Sequence, residues 1–217
     1  MLRTKNALKL VVIDRDGTLN TYREGYIKSP EEFEAIPGSL EAVALLNRAG
    51  WHVVVASNQP GLGRGVMDMA ALNAIHTVMH QQLAAAGARV DAVFFCPHSA
   101  DDGCDCHKPL PGLLLQIAER YGVELASIHV VGDALRDLQA ATQAGCIPHL
   151  VCTGEGESWR TRKPQSSLPP HAHIHADLLA FARFLLAQQE QEQNTATAAE
   201  TPSNTPNTPS TTPNAQN

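Results

Sequence analysis

The chain has 217 residues, and its 16 lysines and arginines stand against 22 aspartates and glutamates, for a formal charge of −6. This balance argues against general nucleic-acid binding, which needs a basic face. No apolar run is long enough for a transmembrane helix and no signal-peptide pattern is present, so we expect a cytoplasmic protein without membrane association. Five cysteines, an odd number, argue against a disulfide framework in that compartment.

Two regions of different composition divide the chain. From residue 188 onward the sequence is made of Gln, Asn, Thr, Pro, Ala and a few Glu, without aromatic or large aliphatic residues. Such a segment buries too little apolar surface to offset the entropy of ordering it. The sequence therefore predicts one globular domain over residues 1–187 and a disordered low-complexity tail over 188–217.

Short aliphatic runs alternate with longer helical patterns along the domain. In chain order, strands are predicted at 8–13, 52–56, 92–95, 128–131 and 147–151. The intervening helices are predicted at 39–49, 68–86, 111–121 and 135–144, and a last one at 176–188. This alternation predicts an α/β fold with a doubly wound, Rossmann-like parallel sheet and helices on both faces.

Polar residues follow the predicted strands. Asp14 and Asp16 come after the first strand, Ser57 and Asn58 after the second, and Asp133 after the fourth. Ligands of open α/β sheets bind outside the carboxyl ends of the strands. These side chains are therefore expected to converge on one crevice, which favours an enzyme.

A pair of aspartates one residue apart needs a reason, because two close like charges repel. Asp14 and Asp16 are expected to face the crevice beside Mg²⁺, which takes carboxylate oxygens, with Asp133 as a third donor and Asp137 in support through water. One aspartate would attack a phosphorus atom and the other would act as general acid and base. The alternative is that both are turn or helix-capping residues, where aspartate is common.

Four motifs resemble the haloacid dehalogenase-like superfamily. They are "DRDGTLN", "VVVASNQ", "CHKP" and "HVVGDALRD", and they occur in that order between residues 8 and about 151. The resemblance implies that Asp14 is the nucleophile and Asp16 the acid and base. It implies that Ser57 and Lys108 hold the phosphoryl oxygens, with Asn58 beside them. Mg²⁺ would be held by Asp14, the main-chain carbonyl of Asp16 and Asp133.

The segment "CPHSADDGCDCHKP" carries soft metal ligands at the spacing C-x-H-x5-C-x-C. Three thiolates and one imidazole fit a closed tetrahedral Zn²⁺ site, and the predicted ligands are Cys96, His98, Cys104 and Cys106. The segment has little apolar material to fix it, so the metal would order it and position Lys108. The alternative is a loop that holds several cysteines by chance.

The zinc loop resembles one capless group of this superfamily, which contains heptose bisphosphate and histidinol-phosphate phosphatases. The resemblance implies Mg²⁺-dependent removal of the 7-phosphate from D-glycero-D-manno-heptose 1,7-bisphosphate, a step toward lipopolysaccharide, by a monomer acting on a small phosphorylated metabolite. Two residues depart from the group's pattern, namely His107 in place of Arg and Ala134 in place of Lys. His107 and Arg64 are predicted to contact substrate.

Two alternatives to this function stay open. Histidinol phosphate or another small phosphorylated metabolite would need the same chemistry, and a zinc-stabilised binding module without catalysis would need none. Three further features are not assigned a catalytic or metal-binding role. Tyr22, Arg23 and Glu24 are expected at the mouth of the crevice. The "HAHIHAD" segment, residues 171–177, is expected to be an exposed edge, and His76 and His80 are expected on a helix surface.

Overall fold

The computed structural model describes residues 8–161 and 168–199, and its centre is one parallel sheet of six strands. The order across the sheet is β3-β2-β1-β4-β5-β6, and every pairing is parallel. The strands are β1 (Leu10–Ile13), β2 (His52–Asn58), β3 (Ala92–Cys96), β4 (His129–Gly132), β5 (Ile147–Val151) and β6 (His173–His175). This is the doubly wound order, in which the first three strands are added toward one edge of the sheet and the next three toward the other, so that the strand order reverses between β1 and β4.

Helices cover both faces of this sheet. They are α1 (Ser39–Arg48), α2 (Pro60–Gly63), α3 (Met69–Ala85), α4 (Gly112–Tyr121), α5 (Leu135–Ala144) and α6 (Leu178–Ala199), and 3₁₀ turns lie at Pro30–Glu32, Leu125–Ser127 and Gly154–Arg160. The buried side chains of α1, α3 and α6 pack on one face, and those of α4 and α5 pack on the other. The predicted fold class is confirmed.

The central strands are buried on both faces because their sequences are almost continuously aliphatic. Val53 and Val55 of β2 join the core beneath α1, α3 and α6, whereas Val54 and Ala56 join the core beneath α4 and α5. Each predicted helix is also present. Asp68 begins α3 as predicted, because its carboxylate accepts the Ala71 N–H at 2.8 Å. Gly145 ends α5 with a positive φ of 79°.

The last helix extends further than the sequence suggested. α6 continues to Ala199, so residues 188–199, predicted as part of the disordered tail, are helical. Gln and Ala are good helix formers, and the Trp51 Nε1–H group donates to Gln189 Oε1 at 2.9 Å. The boundary of the tail is corrected accordingly, and residues 200–217 lie outside the described part of the chain.

A connection of 25 residues, 14–38, separates β1 from α1. It contains one 3₁₀ turn and isolated bridges of Asn20 to Asp16 and Ala35, so within the described residues no cap domain is inserted there. The carboxyl ends of the strands therefore open directly to solvent. Among the helices of residues 8–161 and 168–199, none is both long and apolar enough to cross a bilayer.

Three histidines form a hydrogen-bonded chain across β4, β5 and β6. His129 Nδ1 lies 2.9 Å from His149 Nε2, and His149 Nδ1 lies 3.0 Å from His175 Nε2. The ring of Phe181 on α6 covers His149, with ring centroids 4.8 Å apart. The "HAHIHAD" segment thus supplies an edge strand as expected, but His175 faces inward rather than outward.

The surroundings keep these imidazoles neutral. Burial, together with the positive charges that neighbouring histidines would carry, lowers the pKa of His149 to about 2. Burial likewise lowers the pKa of His129 and of His175 to about 4. A neutral imidazole has one N–H donor and one acceptor nitrogen, so the chain is satisfied in the uncharged state.

We expect acid to destabilise the fold through this chain. An unfolded histidine takes a proton near pH 6.5, whereas these folded histidines stay neutral to about pH 4, so the unfolded state binds more protons in that window. Stability is complete above pH 6.5 and falls below it, by at most about 1.4 kcal/mol per histidine per pH unit. Urea unfolding at several pH values measures this slope. His149→Phe should flatten it, and exposed His80→Gln should leave it unchanged. An unaltered slope in His149→Phe would contradict the assignment.

Candidate active site

The predicted polar residues converge at the carboxyl edge of the sheet, at the reversal point between β1 and β4. The backbone N–H of Asp14 donates to the Val131 carbonyl at 2.8 Å, which fixes the end of β1 against β4. A cavity of about 270 Å³ opens there. Its lining includes seven of the predicted site residues: Asp14, Asp16, Ser57, Asn58, Arg64, His107 and Lys108.

A buried lysine connects two of the carboxylates. Lys108 Nζ donates to Asp14 Oδ1 at 2.8 Å, to the Ala56 carbonyl at 2.8 Å and to Asp137 Oδ1 at 2.5 Å. All three of its hydrogens are therefore in use. Burial opposes its charge, but Asp137 and Asp14 outweigh burial and raise the pKa of Lys108 above its ordinary value. Lys108 is a fixed cation beside the predicted nucleophile.

Three carboxylates lie together at this point. Oxygens of Asp14, Asp133 and Asp137 all lie within 4.8 Å of one another. Burial, together with the charges of Asp14 and Asp137, raises the pKa of Asp133 to about 8. Burial also raises the pKa of Asp14 to about 6 against the opposing charge of Lys108. One lysine therefore does not balance the negative charge of this group.

The donor set fits a divalent cation. Asp133 Oδ2 accepts the Glu155 N–H at 2.8 Å, whereas its buried Oδ1 has no hydrogen-bond partner. An unpartnered buried carboxylate oxygen beside two further carboxylates matches the oxygen ligands that Mg²⁺ takes. Asp137, predicted as a supporting residue, contributes a carboxylate to the group directly. The side chain of Asp16 lies outside this group. That the main-chain carbonyl of Asp16 binds the cation stays a prediction.

Two glycines shape the pocket around Asp133. Gly17 and Gly154 have positive φ angles of 87° and 52°, and a Cβ atom on either would collide with the Asp133 carboxylate. The backbone can approach this carboxylate closely only because both positions lack a side chain. The glycine of "DRDGT" is therefore required here for space as well as for the turn.

The carboxylate of Asp16 is held by a separate group of donors. Arg15, which is fully buried, donates to it through Nε at 3.1 Å and through Nη2 at 3.0 and 2.8 Å. Asn20 and Gln59 each donate at 3.0 Å. Burial opposes ionisation of Asp16, but Arg15 and these hydrogen bonds outweigh it and hold the pKa of Asp16 below its usual range.

Asn58 fixes the main chain at Lys108. Its Nδ2 donates to the Lys108 carbonyl at 3.0 Å, and its Oδ1 accepts the Lys108 N–H at 3.0 Å. This reciprocal pair ties the end of β2 to the "CHKP" segment, fifty residues later. Asn58, predicted beside the substrate, lines the cavity and also orients the lysine.

The four predicted zinc ligands form one cluster at the end of β3. Cys96 Sγ lies 3.7 Å from Cys104 Sγ, 3.3 Å from Cys106 Sγ and 3.6 Å from His98 Nδ1. In a tetrahedral site with Zn–S bonds of about 2.3 Å, neighbouring sulfurs lie about 3.8 Å apart. The cysteines are free thiols rather than disulfides. The cluster therefore has both the donors and the dimensions of a closed structural zinc site.

His107 and Arg64 both line the cavity, but they offer different chemistry. Burial lowers the pKa of His107, and the charges of Arg136, Lys108 and Arg64 lower it further, against the raising effect of the His98 carbonyl. In the neutral ring, the Nδ1–H group donates to that carbonyl at 3.1 Å, which leaves Nε2 as an acceptor. Arg64, in contrast, is an exposed cation whose Nη1 donates to Tyr26 OH at 2.9 Å.

Several residues at the mouth of the cavity were not among the predicted site residues. Tyr22 and Arg23 line it, as expected for that loop, whereas Glu24 is not part of the lining. Tyr26, Arg136 and Glu155 also line it, and Arg136 Nη1 donates to both Glu155 oxygens, at 3.0 and 2.9 Å. Its place as a cation within the fourth motif, two residues beyond Ala134, was the available signal for Arg136.

His76 also has a role that the sequence did not indicate. It was expected on the surface of α3, but its Nε2 lies 3.3 Å from Arg15 Nη1, and burial with the Arg15 charge lowers the pKa of His76 to about 4. Its neutral ring supplies an acceptor for the buried guanidinium. His80, in contrast, is exposed as expected.

Comparison with known proteins identifies the family. The model of a haloacid dehalogenase-like hydrolase family matches residues 11–145. The chain belongs to this family. Residues 11–145 include β1 from its second residue, β2 to β4, and every predicted catalytic and zinc-binding residue.

Relatives match over almost their full length. The chain is 53% identical to the D-glycero-β-D-manno-heptose-1,7-bisphosphate 7-phosphatase of Bordetella bronchiseptica, over 83% of this chain and 99% of the relative. It is 46% identical to the enzyme of that name from Pseudomonas aeruginosa, over 82% of this chain and 97% of the relative.

Two solved structures are similar as well. The heptose bisphosphate phosphatase of B. bronchiseptica, complexed with magnesium and phosphate, has a TM-score of 0.80 and 52% identity, over 83% of this chain and 99% of that one. The enzyme from Burkholderia thailandensis has a TM-score of 0.65 and 47% identity, over 82% and 99%. The predicted family resemblance is confirmed.

Proposed function

We propose that this protein is a Mg²⁺-dependent phosphatase that removes the 7-phosphate from D-glycero-β-D-manno-heptose 1,7-bisphosphate. The observation that carries the proposal is the group of Asp14, Asp133, Asp137 and Lys108 at the reversal point of the sheet, which supplies a nucleophile, a cation site and a fixed positive charge. Relatives with this activity in their names match 82–83% of this chain and 97–99% of their own length, which supports the substrate.

The first half of the reaction transfers the phosphoryl group to the enzyme. A carboxylate oxygen of Asp14 forms a bond to phosphorus, the bond from phosphorus to O7 of the sugar breaks, and O7 takes its proton from Asp16. The arriving phosphate places negative charge near Asp16 and so favours the protonated form that this step needs. Ser57 donates a hydrogen bond to a phosphoryl oxygen, and the fixed positive charge of Lys108 beside Asp14 offsets the negative charge of the phosphoryl group.

The second half releases phosphate. Asp16 accepts a proton from water, the water oxygen bonds to phosphorus, and the bond to Asp14 breaks. Mg²⁺, held by Asp14, Asp133 and the Asp16 carbonyl, would neutralise charge on the phosphoryl oxygens in both halves. Positioning and charge neutralisation are most of what phosphoryl transfer requires.

Arginines at the mouth are suited to the second phosphate of the substrate. His107 stands where the capless phosphatase group has an arginine, which is a permanent hydrogen-bond donor. In its neutral form His107 presents an acceptor nitrogen, which cannot pair with a phosphate oxygen because that oxygen is also an acceptor. Arg64 and Arg136 line the same cavity as partly exposed cations. We assign them to the 1-phosphate.

The zinc cluster also bears on localisation. The free thiols of the zinc cluster suit the reducing cytoplasm. We therefore propose that the enzyme acts there on a dissolved sugar phosphate. That the enzyme acts as a monomer stays a prediction from the sequence.

Phosphate release from three substrates tests the function. We expect the highest kcat/KM for the β-anomer of the heptose bisphosphate, a lower value for the α-anomer and a much lower value for histidinol phosphate. Arg64→Met and Arg136→Met should each raise KM for the bisphosphate by about 10-fold or more, because a charge-assisted hydrogen bond contributes about 1.5–3 kcal/mol. Neither should change KM for heptose 7-phosphate to that extent.

The control is Arg48→Met, an exposed arginine on α1 away from the cavity, which should leave both KM values unchanged. A preference for histidinol phosphate would contradict the assigned substrate. An equal rise in KM for both heptose phosphates would contradict the assignment of the arginines to the 1-phosphate.

A further inference from the structure

Gln59 lies just behind the active-site cavity, directly after β2. Its side chain is buried, with 2% of the residue exposed, and its backbone N–H donates to the Cys96 carbonyl at 2.8 Å. It is not among the residues that line the cavity. Any effect of Gln59 on the reaction must therefore pass through its neighbours.

The Gln59 amide joins two residues that do line the cavity. Nε2 donates to Asp16 Oδ2 at 3.0 Å and to Ser57 Oγ at 2.8 Å. An ionised carboxylate has no hydrogen to give, so the group that faces Asp16 must be the NH₂ end of the amide. Both amide hydrogens are then used, one on each partner.

This arrangement sets the direction of the Ser57 hydroxyl. Because Ser57 Oγ accepts a hydrogen bond from Gln59, its own hydrogen is free to point elsewhere, and its remaining open side is the cavity. A phosphoryl oxygen in the cavity would accept a hydrogen bond from the Ser57 hydroxyl. The same amide fixes the oxygen of Asp16 that lies on the Ser57 side.

We propose that Gln59 is a positioning residue that holds the acid-base carboxylate of Asp16 and the phosphoryl-binding hydroxyl of Ser57 in register with each other. The inference rests on the proposed function, since it uses the roles assigned there to Asp16 and Ser57. Arg15 and Asn20 also hold Asp16, but neither reaches Ser57 in the described hydrogen bonds. Gln59 therefore provides a direct link between proton delivery and phosphoryl binding.

Substitution of Gln59 by methionine keeps the length of the side chain and removes both hydrogen-bond donors. Its effects on the positioning of Asp16 and on the orientation of the Ser57 hydroxyl can then be separated by the choice of substrate. The readout is kcat/KM for phenyl phosphate, whose leaving group needs a proton, against p-nitrophenyl phosphate, whose leaving group does not. Loss of a positioned general acid affects only the first substrate strongly, since general acid catalysis contributes about 10²–10⁴-fold. Loss of the Ser57 orientation affects both substrates equally.

We expect Gln59→Met to lower kcat/KM about 100-fold for phenyl phosphate and about 10-fold for p-nitrophenyl phosphate, since small misplacements of catalytic groups cost on the order of 10²-fold. The ratio between substrates is measured on one preparation, so it does not depend on the fraction of folded enzyme. In an Asp16→Asn background, Gln59→Met should leave this ratio unchanged, because the partner is already lost. Gln81→Met, at an exposed glutamine of α3, should behave as wild type.

An unchanged ratio in Gln59→Met, or a ratio that still changes in the Asp16→Asn background, would overturn the proposal. Failure of the proposed substrate gives a different result. In that case the wild-type protein hydrolyses both aryl phosphates but not the heptose bisphosphate, and the Gln59 comparison still decides the role of this residue.

Discussion

Asp14→Asn should lower turnover by at least about 10⁴-fold while leaving the fold intact, because an amide does not replace a carboxylate as the nucleophile that forms the phosphoryl-enzyme bond. Lys108 keeps its bonds to Asp137 and to the Ala56 carbonyl in this variant. The substitution also removes an oxygen anion from the cation site. Loss of activity by this route is a loss of chemistry rather than of structure.

The stability of the same variant should not fall in Mg²⁺-free buffer. Burial raises the pKa of Asp14 to about 6, so at pH 7 the folded state carries this charge at a cost that the unfolded state does not have. A neutral side chain of the same shape removes that cost and the repulsion with Asp133. We therefore expect Tm to stay equal or rise, by an amount that shrinks as the pH falls from 7 toward 4.

Phosphate release measures the loss of turnover predicted for Asp14→Asn, and intact-protein mass after acid quench measures the phosphoryl-enzyme adduct. The wild type should show a phosphoryl adduct during turnover, and Asp14→Asn should show none. Asp101→Asn, the same substitution at an exposed position, is the matched control and should retain both activity and the adduct. Turnover near the wild-type rate in Asp14→Asn would remove Asp14 from its role.

Much of this site could be predicted because the fold fixes where strand ends lie. Asp14, Ser57 and Asp133 each follow an aliphatic run that is too apolar to be anything but a buried strand, and parallel strands end on the same edge. The zinc ligands were predictable for a different reason, since four soft donors within eleven positions need no knowledge of the fold. In both cases the signal is local in sequence.

The residues that were missed depend on partners far away in the chain. The register that places His175 next to His149 is set by the β5–β6 pairing, and nothing in the "HAHIHAD" segment tells which histidine faces inward. The burial of Arg15 could not be predicted either, because a buried guanidinium is recognised only from its acceptors, here Asp16 and His76. Sequence patterns gave its position beside the nucleophile but not its direction.

The end of the domain was missed for an energetic reason. Composition predicted disorder from residue 188, since no large aliphatic residue follows. A helix that is already nucleated and packed, however, continues at little cost through good helix formers. In α6 the packed part ends near Leu185 and the Gln189 contact with Trp51, and the following residues extend the helix without adding to the core.

Cys106→Ser should abolish zinc binding and, because Lys108 is then displaced, remove much of the activity. Cys106 is buried two residues before Lys108, and its Sγ lies 3.3 Å from Cys96 Sγ and 3.4 Å from His98 Nδ1. Structural zinc contributes about 10–16 kcal/mol of binding free energy, which in such sites is folding free energy. Without it the segment has few apolar contacts to keep its shape, and the Asn58 pair alone must hold the Lys108 main chain.

We therefore expect Cys106→Ser to contain less than one zinc per chain, to unfold at a lower temperature and to lose at least about 10-fold in kcat, since displaced catalytic groups cost on that order. Metal analysis of protein purified without chelator, with Tm and kcat on the same sample, measures all three. Cys146→Ser makes the same change at a buried thiol outside the cluster, so it should lower Tm but retain zinc and kcat. A wild-type protein without zinc would contradict the metal assignment, whereas full activity in zinc-free Cys106→Ser would show that Asn58 suffices to position Lys108.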